Sequence, residues 1–175
     1  MGFGGRGRYP AAGPASPDYA ALRVATRVLS ERLFEEVRTK RNLSYAVFAG
    51  LGSRAANRGL LYVTAVDPDT TLRVVRTEVR KLRQDLVPAP RLDQTINVFL
   101  TTHLMSQQTN MGQAAELGLW ELSGGGWANA GAYLRRIRSV TPADVQRVVR
   151  TYLQRFTFVV IGDPSKLDRT FVTSF

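Results

Sequence analysis

The stretch Glu35–Gly50, EEVRTKRNLSYAVFAG, begins as the last turns of a helix and finishes as a strand. Upstream, residues 16–40 read SPDYAALRVATRVLSERLFEEVRTK. Ser16 suits an N-cap, Pro17 the first helical position, and Asp18 the positive end of the helix dipole. Leu22, Ala25, Leu29, Leu33 and Val37 recur every three to four residues, which predicts a helix with one buried stripe running to about Lys40. Downstream, LSYAVFAGLGSR (residues 43–54) places Leu43, Tyr45, Val47, Ala49 and Leu51 on one face of an extended run. A polar turn around Ala55 to Arg58 leads to RGLLYVTAVDP, whose apolar, β-branched centre fits a central strand. A helix therefore runs straight into an antiparallel pair, with Arg38 and Tyr45 on either side of the join.

From DPDTTLRVVRTEVRKLRQDL to Tyr152 the chain reads as helical. Leu72, Val75, Val79, Leu82 and Leu86 form one stripe, and VPAP ends that helix. Two more helices are expected at Arg91–Met105 and Gln108–Leu122, the latter stopped by the glycines at 124–126, and a short one lies in WANAGAYLRRIRSV. TPADVQRVVRTYL starts with Thr141 as cap, Pro142 at the first position and Asp144 in the first turn. RFTFVVIGDP closes as a strand. The pattern is α+β: an antiparallel, or in part mixed, sheet covered on one side by about five or six helices.

The start, MGFGGRGRYPAAGPASP, carries Gly2, Gly4 and Gly7 in a G-x-G-x-x-G spacing. A dinucleotide fingerprint requires a strand before it and a helix directly after it, and Pro10, Pro14 and Pro17 follow instead. Residues 1–15 are expected to be a flexible arm or a partial first strand, and residues 16–175 a single α+β domain. The start has no long apolar region of the kind a signal peptide contains, and no run approaches the roughly 20 residues that cross a bilayer. The compartment, cytoplasm or cell envelope and periplasm, stays open.

The 175 residues contain no cysteine and one histidine, His103. Disulfides, thiolate metal sites and cysteine nucleophiles are thereby excluded, and a zinc site would have to lean on carboxylates. His103, in FLTTHLMSQQ, has no second histidine to pair with and reads as a helical surface or core residue. Ser123 and Ser139 have no histidine nearby in sequence. The net charge is +10, with arginine well ahead of lysine. Arg73, Arg76, Arg80 and Arg83 make a basic stripe that could grip phosphates, but Glu78 and Asp85 interrupt it and a solvated helix face is the better reading. Arg38, taken alone, offsets a helix dipole, and Tyr45 is an ordinary half-buried strand aromatic.

LSERLFEEVRTKRNLSYAVFAG closely resembles the segment of pitrilysin/insulinase-type (inverzincin) zinc metallopeptidases in which a helix ending in LR-x-K leads into LGYxV or LAYxV. VTPADVQRVVRTYLQRFTFVVIGDP is similar to the VTxxDVxxxAxxYL helix and VVVGDP strand that close each homologous domain of that family. The likeness runs from about Asp18 to Pro164. It implies a clamshell of two α+β halves enclosing a peptide chamber, one half carrying the zinc motif H-x-x-E-H and a distant glutamate. The other half lacks zinc ligands and supplies an arginine and a tyrosine seven residues apart, which Arg38 and Tyr45 match. This chain has no H-x-x-E-H, so it resembles the zinc-free half. Three features depart from the pattern: the small-residue insertion GGxxSS before the RLF equivalent is missing, Ser44 replaces the glycine before the tyrosine, and the first strand is represented only by the glycine-rich start. The last suggests a fragment, or one partner of a split enzyme.

The resemblance implies a substrate-binding, non-catalytic half in which Arg38 and Tyr45 contact the substrate and transition state, with no catalytic residue or metal ligand in this chain alone. Zinc is expected on an H-x-x-E-H-bearing partner half, in the same polypeptide or as the other subunit of a heterodimer. Extended peptides are the expected substrates, lying along a sheet edge. The chain by itself is expected to be inactive. The alternatives are a catalytically silent scaffold subunit of the same fold and, more weakly, a nucleic-acid-binding domain using the Arg73–Arg83 face.

Overall fold

A computed structural model describes residues 3–163 together with Ser165, Leu167 and Asp168. Gly2 of the glycine spacing and Pro164 of the closing motif lie outside the described residues. The elements are β1 (Phe3–Ala11), α1 (Tyr19–Leu33), a π-helical turn (Phe34–Thr39), β2 (Val47–Leu51), β3 (Asn57–Ala65) and α2 (Pro68–Gln84). They continue with α3 (Ala89–Ser106), α4 (Asn110–Ser123), α5 (Asn129–Arg138), α6 (Pro142–Tyr152) and β4 (Thr157–Ile161). The four strands lie in the order β2-β3-β1-β4, every neighbouring pair antiparallel. The fold is α+β, as the order of elements predicts.

One face of the sheet is buried and the other open. Along β3, Asn57, Gly59, Leu61, Val63 and Ala65 are buried, while the residues between them are half-buried or exposed. The buried face packs on α1, whose stripe residues Leu22, Ala25, Leu29 and Leu33 are almost completely covered. The same core takes Val75, Val79 and Leu82 of α2 and Val145, Val148 and Val149 of α6. The α2 stripe stops one turn early, because the helix ends at Gln84 and leaves Leu86 exposed.

The glycine-rich start differs from its expected role as arm or partial strand. It forms β1, a nine-residue strand paired on both sides, with β3 and with β4. One of its glycines, Gly7, lies under an aromatic ring, and one of its aromatics covers a glycine of β3. Phe158, opposite Gly7 in the β1–β4 ladder, comes so close that a Cβ there would meet its ring at 2.6 Å. Tyr9, opposite Gly59 in the β1–β3 ladder, covers that glycine in the same way. Pro10 is tolerated because the β1–β4 ladder ends at the Arg8–Thr157 pair, so its missing N–H breaks no bond there.

The helix starts show one expectation met and one changed. At α6, the Thr141 hydroxyl accepts from the Asp144 N–H (3.2 Å) and the Asp144 carboxylate accepts from the Thr141 N–H (3.0 Å), a full capping box with Pro142 behind it. Thr141→Ala is expected to cost about 1 kcal/mol in chemical denaturation. At α1 the N-cap is Asp18, not Ser16, and its side chain makes no cap bond. Its carboxylate instead accepts from Arg147 (2.7 Å) and from the Tyr152 hydroxyl (3.0 Å), tying the start of α1 to α6.

Candidate functional site

The site begins where α1 widens. Over Phe34–Thr39 the helix takes a π turn, closed by the Lys40 N–H donating to the Glu35 carbonyl five residues back (2.9 Å). Such insertions within α-helices recur at functional positions. Val37 stays fully buried and anchors the turn, while Phe34 is 46 % exposed and Arg38 half-buried. Asn42, at φ 50°, then reverses the chain in the left-handed region that asparagine tolerates.

Residues 43–46 pass beside the end of β3, with a bend at Tyr45, before β2 begins. The Val66 N–H donates to the Leu43 carbonyl (3.1 Å) and the Thr64 N–H to the Ala46 carbonyl (2.9 Å). Ser44, 3 % exposed, turns inward: its hydroxyl donates to the Ala46 carbonyl (2.9 Å) and lies 3.4 Å from the Thr64 hydroxyl. Thr64 Oγ1 in turn accepts from the Ala46 N–H (3.3 Å). With Ser44 held inside, Tyr45 projects outward and is 83 % exposed. Tyr45 is therefore not the half-buried strand residue expected from alternation with Val47. Tyr45 precedes β2, and its ring lies outside the layer of core side chains that covers Val47.

The structure brings Arg38 and Tyr45 together. The Arg38 guanidinium lies 4.9 Å from the Tyr45 ring centre and 5.0 Å from that of Phe34, which stands one helical turn back. Cation–π contacts of this kind are worth about 0.5–1 kcal/mol each at exposed sites. Phe34 has no role in the sequence pattern, and Ser44 stands there only as a departure from the glycine before the tyrosine. One orients the guanidinium and the other orients the loop. A residue four places before the arginine on the same helix face was the available signal for Phe34.

Neighbouring charges leave Arg38 uncompensated. Glu36 is engaged by Lys40 Nζ (2.6 Å) and by Arg41 Nη1 (2.6 Å). The hydrogen bonds from Lys40 and Arg41 hold the Glu36 carboxyl at about 2, well below its ordinary 4.5. Among the described residues Arg38 has no ion-pair partner. Glu36 is depressed in the fold, so its contribution to stability is full above pH 4.5 and is lost as pH falls toward about 2. Glu36→Gln should therefore flatten the acid limb of a stability–pH curve between those values, and an unchanged limb would remove this cluster from the account.

The remaining candidates stay apart. His103 is half-buried on α3, its Nε2 3.9 Å from Glu116 Oε1, which accepts from the Trp120 indole N–H (2.7 Å). On α2, Arg73, Arg80 and Arg83 are exposed and Arg76 half-buried, outside the stripe of Leu72, Val75, Val79 and Leu82. Among the described residues no three His, Asp or Glu side chains are grouped to hold a metal ion. With one histidine and no cysteine in the sequence, the donor set for zinc does not fit this chain. No described helix is long and apolar enough to cross a membrane. Along the outer edge of β2, two backbone groups are already taken: the Ala49 N–H donates to Ser30 Oγ (3.2 Å), and the Leu51 carbonyl accepts from Arg23 Nη1 (2.8 Å).

The described residues thus form a four-stranded antiparallel sheet under a helical layer, with an arginine and a tyrosine at the helix–strand join and no group of three metal-binding side chains. Residues 8–99 match the model of the family described as the peptidase M16 inactive domain, and this chain belongs to that family. An uncharacterized zinc protease of Streptomyces coelicolor is 28 % identical over 142 residues, covering 79 % of this chain and 31 % of the relative. The chain thus spans about a third of that relative's length. In fold it is similar to the inactive peptidase domain of an assigned zinc protease from Bordetella parapertussis (TM-score 0.81, 20 % identity, 93 % of each chain). It is also similar to a protease from Helicobacter pylori (TM-score 0.84, 14 % identity, 93 % of this chain and 41 % of that one).

Proposed function

We propose that this chain is the substrate-binding, non-catalytic half of a zinc metallopeptidase and supplies Arg38 and Tyr45 to a zinc site on a partner half. The observation that carries the reading is the exposed Phe34–Arg38–Tyr45 stack, an uncompensated guanidinium beside a free-standing phenol. Peptide hydrolysis builds negative charge on the scissile carbonyl oxygen, and donors placed around that oxygen lower the barrier. When bound on the partner, zinc would polarise that carbonyl and activate water. A guanidinium and a phenol are donors at neutral pH without having to titrate. The π turn and the Ser44–Thr64 bonds would hold the two at fixed separation.

The partner is an H-x-x-E-H-bearing half, in the same polypeptide or as a separate subunit, and the substrates are extended peptides. The test is reconstitution. This chain is mixed with such a half, zinc is supplied, and cleavage of a fluorogenic peptide is followed. Hydrolysis by the mixture and by neither half alone is the expected result. Stable assembly whose turnover is indifferent to Arg38 and Tyr45 would favour a silent scaffold instead.

A further inference from the structure

The seam between β2 and α1 leads away from the Arg38–Tyr45 stack through two cavities that share Arg27. The nearer, of about 450 Å³, is bounded by Phe34, Thr39, Val47 and Phe48. The farther, of about 380 Å³, is bounded by Arg23 and Arg27 of α1, Gly50 and Leu51 of β2, and Thr102 and His103 of α3. We infer that this farther cavity binds a carboxylate of the peptide whose reacting bond lies at Arg38 and Tyr45. The inference rests on the proposed function and extends it to a second subsite.

Arg23 lines the farther cavity. It is half-buried, between the rings of Tyr19 (6.0 Å from the centre) and Phe99 (5.8 Å). One terminal nitrogen donates to the Leu51 carbonyl at 2.8 Å. Among the described residues no carboxylate pairs with it. A guanidinium has five N–H donors, and a cation withdrawn from water calls for an anion. Arg27 Nε donates to Glu31 Oε1 (3.0 Å), and His103 Nε2 stands 3.9 Å from Glu116 Oε1. Arg27 is only partly balanced, because its partner Glu31 also pairs with Arg91 Nη2 (3.3 Å). Neither Glu31 nor Glu116 lines the cavity, whose wall carries the Arg23 and Arg27 guanidiniums and no carboxylate.

The β2 edge explains why a pocket is needed here at all. The Thr64 N–H bonds the Ala46 carbonyl and the Gly52 N–H bonds the Arg58 carbonyl, so the backbone groups of Val47, Ala49 and Leu51 turn away from β3. The side chains of Ser30 and Arg23 already occupy two of those groups. A peptide cannot zip along this edge as a complete added strand. It can be held by its reacting bond at one end of the seam and by a charge at the other.

The carboxylate can be the peptide's C-terminus or an Asp or Glu side chain, and three fluorescein-labelled peptides separate the two. One has a free C-terminus, one is amidated and neutral, and one is amidated with a single Glu. Fluorescence anisotropy with this chain should show at least one carboxylate peptide binding about tenfold more tightly than the neutral one. Which one gains identifies the source. Arg23→Gln should erase the difference, and because Arg23 also holds Leu51, Arg27→Gln and His103→Gln are measured beside it. Each of these should reduce the preference about threefold. Equal binding of all three peptides, with hydrolysis by the reconstituted halves still lost in Arg38→Ala, overturns the pocket alone. No binding of any peptide overturns both the pocket and the reading beneath it.

Discussion

Replacing Arg38 by alanine, or Tyr45 by phenylalanine, is expected to lower the turnover of the assembled peptidase by about 10²–10³-fold, the cost of one donor to a developing oxyanion. The effect should fall on kcat and leave KM nearly unchanged, because the donors are proposed to act mainly on the charge that appears in the transition state. Stability offers the control. Tyr45 is 83 % exposed, and Phe keeps the ring that stacks on Arg38, so Tyr45→Phe should change unfolding free energy by less than about 0.5 kcal/mol. Arg38→Ala forfeits two ring contacts and should cost about 1–2 kcal/mol. Arg38→Lys separates charge from geometry, since an ammonium keeps the charge and loses the planar fork. It should recover only part of the loss. Unchanged kcat in Tyr45→Phe and Arg38→Ala, with the two halves assembled, would remove the pair from the chemistry.

What the sequence disclosed follows from which forces act locally. The stripe of α1 and the capping box of α6 depend on residues within a few positions, and both stand as read. β1 does not announce itself, because FGGRGRYPA has no apolar alternation and its glycines look like freedom. Its order comes from β3 and β4, whose Gly59 and Phe158 complete the surface that Tyr9 and Gly7 leave unfinished. Tyr45 was legible as a candidate and illegible as a position. Alternation with Val47 predicts half-burial, but alternation says nothing about where the sheet stops. The contact between Arg38 and Tyr45 depends on a π turn, a left-handed Asn42 and an inward Ser44, and none of the three has a periodic signature.

Gly59→Ala is expected to be among the most damaging single substitutions in the chain, costing at least about 3 kcal/mol. A Cβ at Gly59 would sit 1.9 Å from Tyr9 Cζ, inside the ring. Tyr9 has nowhere to go: it is 1 % exposed, its hydroxyl lies 3.2 Å from Thr26 Oγ1, and its ring packs edge-on to Phe156 at 5.3 Å. The clash would force β1 and β3 apart or expel the ring, and either outcome opens the core between the sheet and α1. β3 also carries Thr64, the partner of Ser44, next to its last residue, so a displaced β3 loosens the loop that presents Tyr45. Denaturant unfolding should show a large fall in midpoint for Gly59→Ala. The pair Gly59→Ala with Tyr9→Leu should cost less than the sum of its parts, because the smaller side chain vacates the space the methyl needs. A Gly59→Ala variant as stable as the parent, or strict additivity in the pair, would mean that the Tyr9 ring does not close the sheet over Gly59.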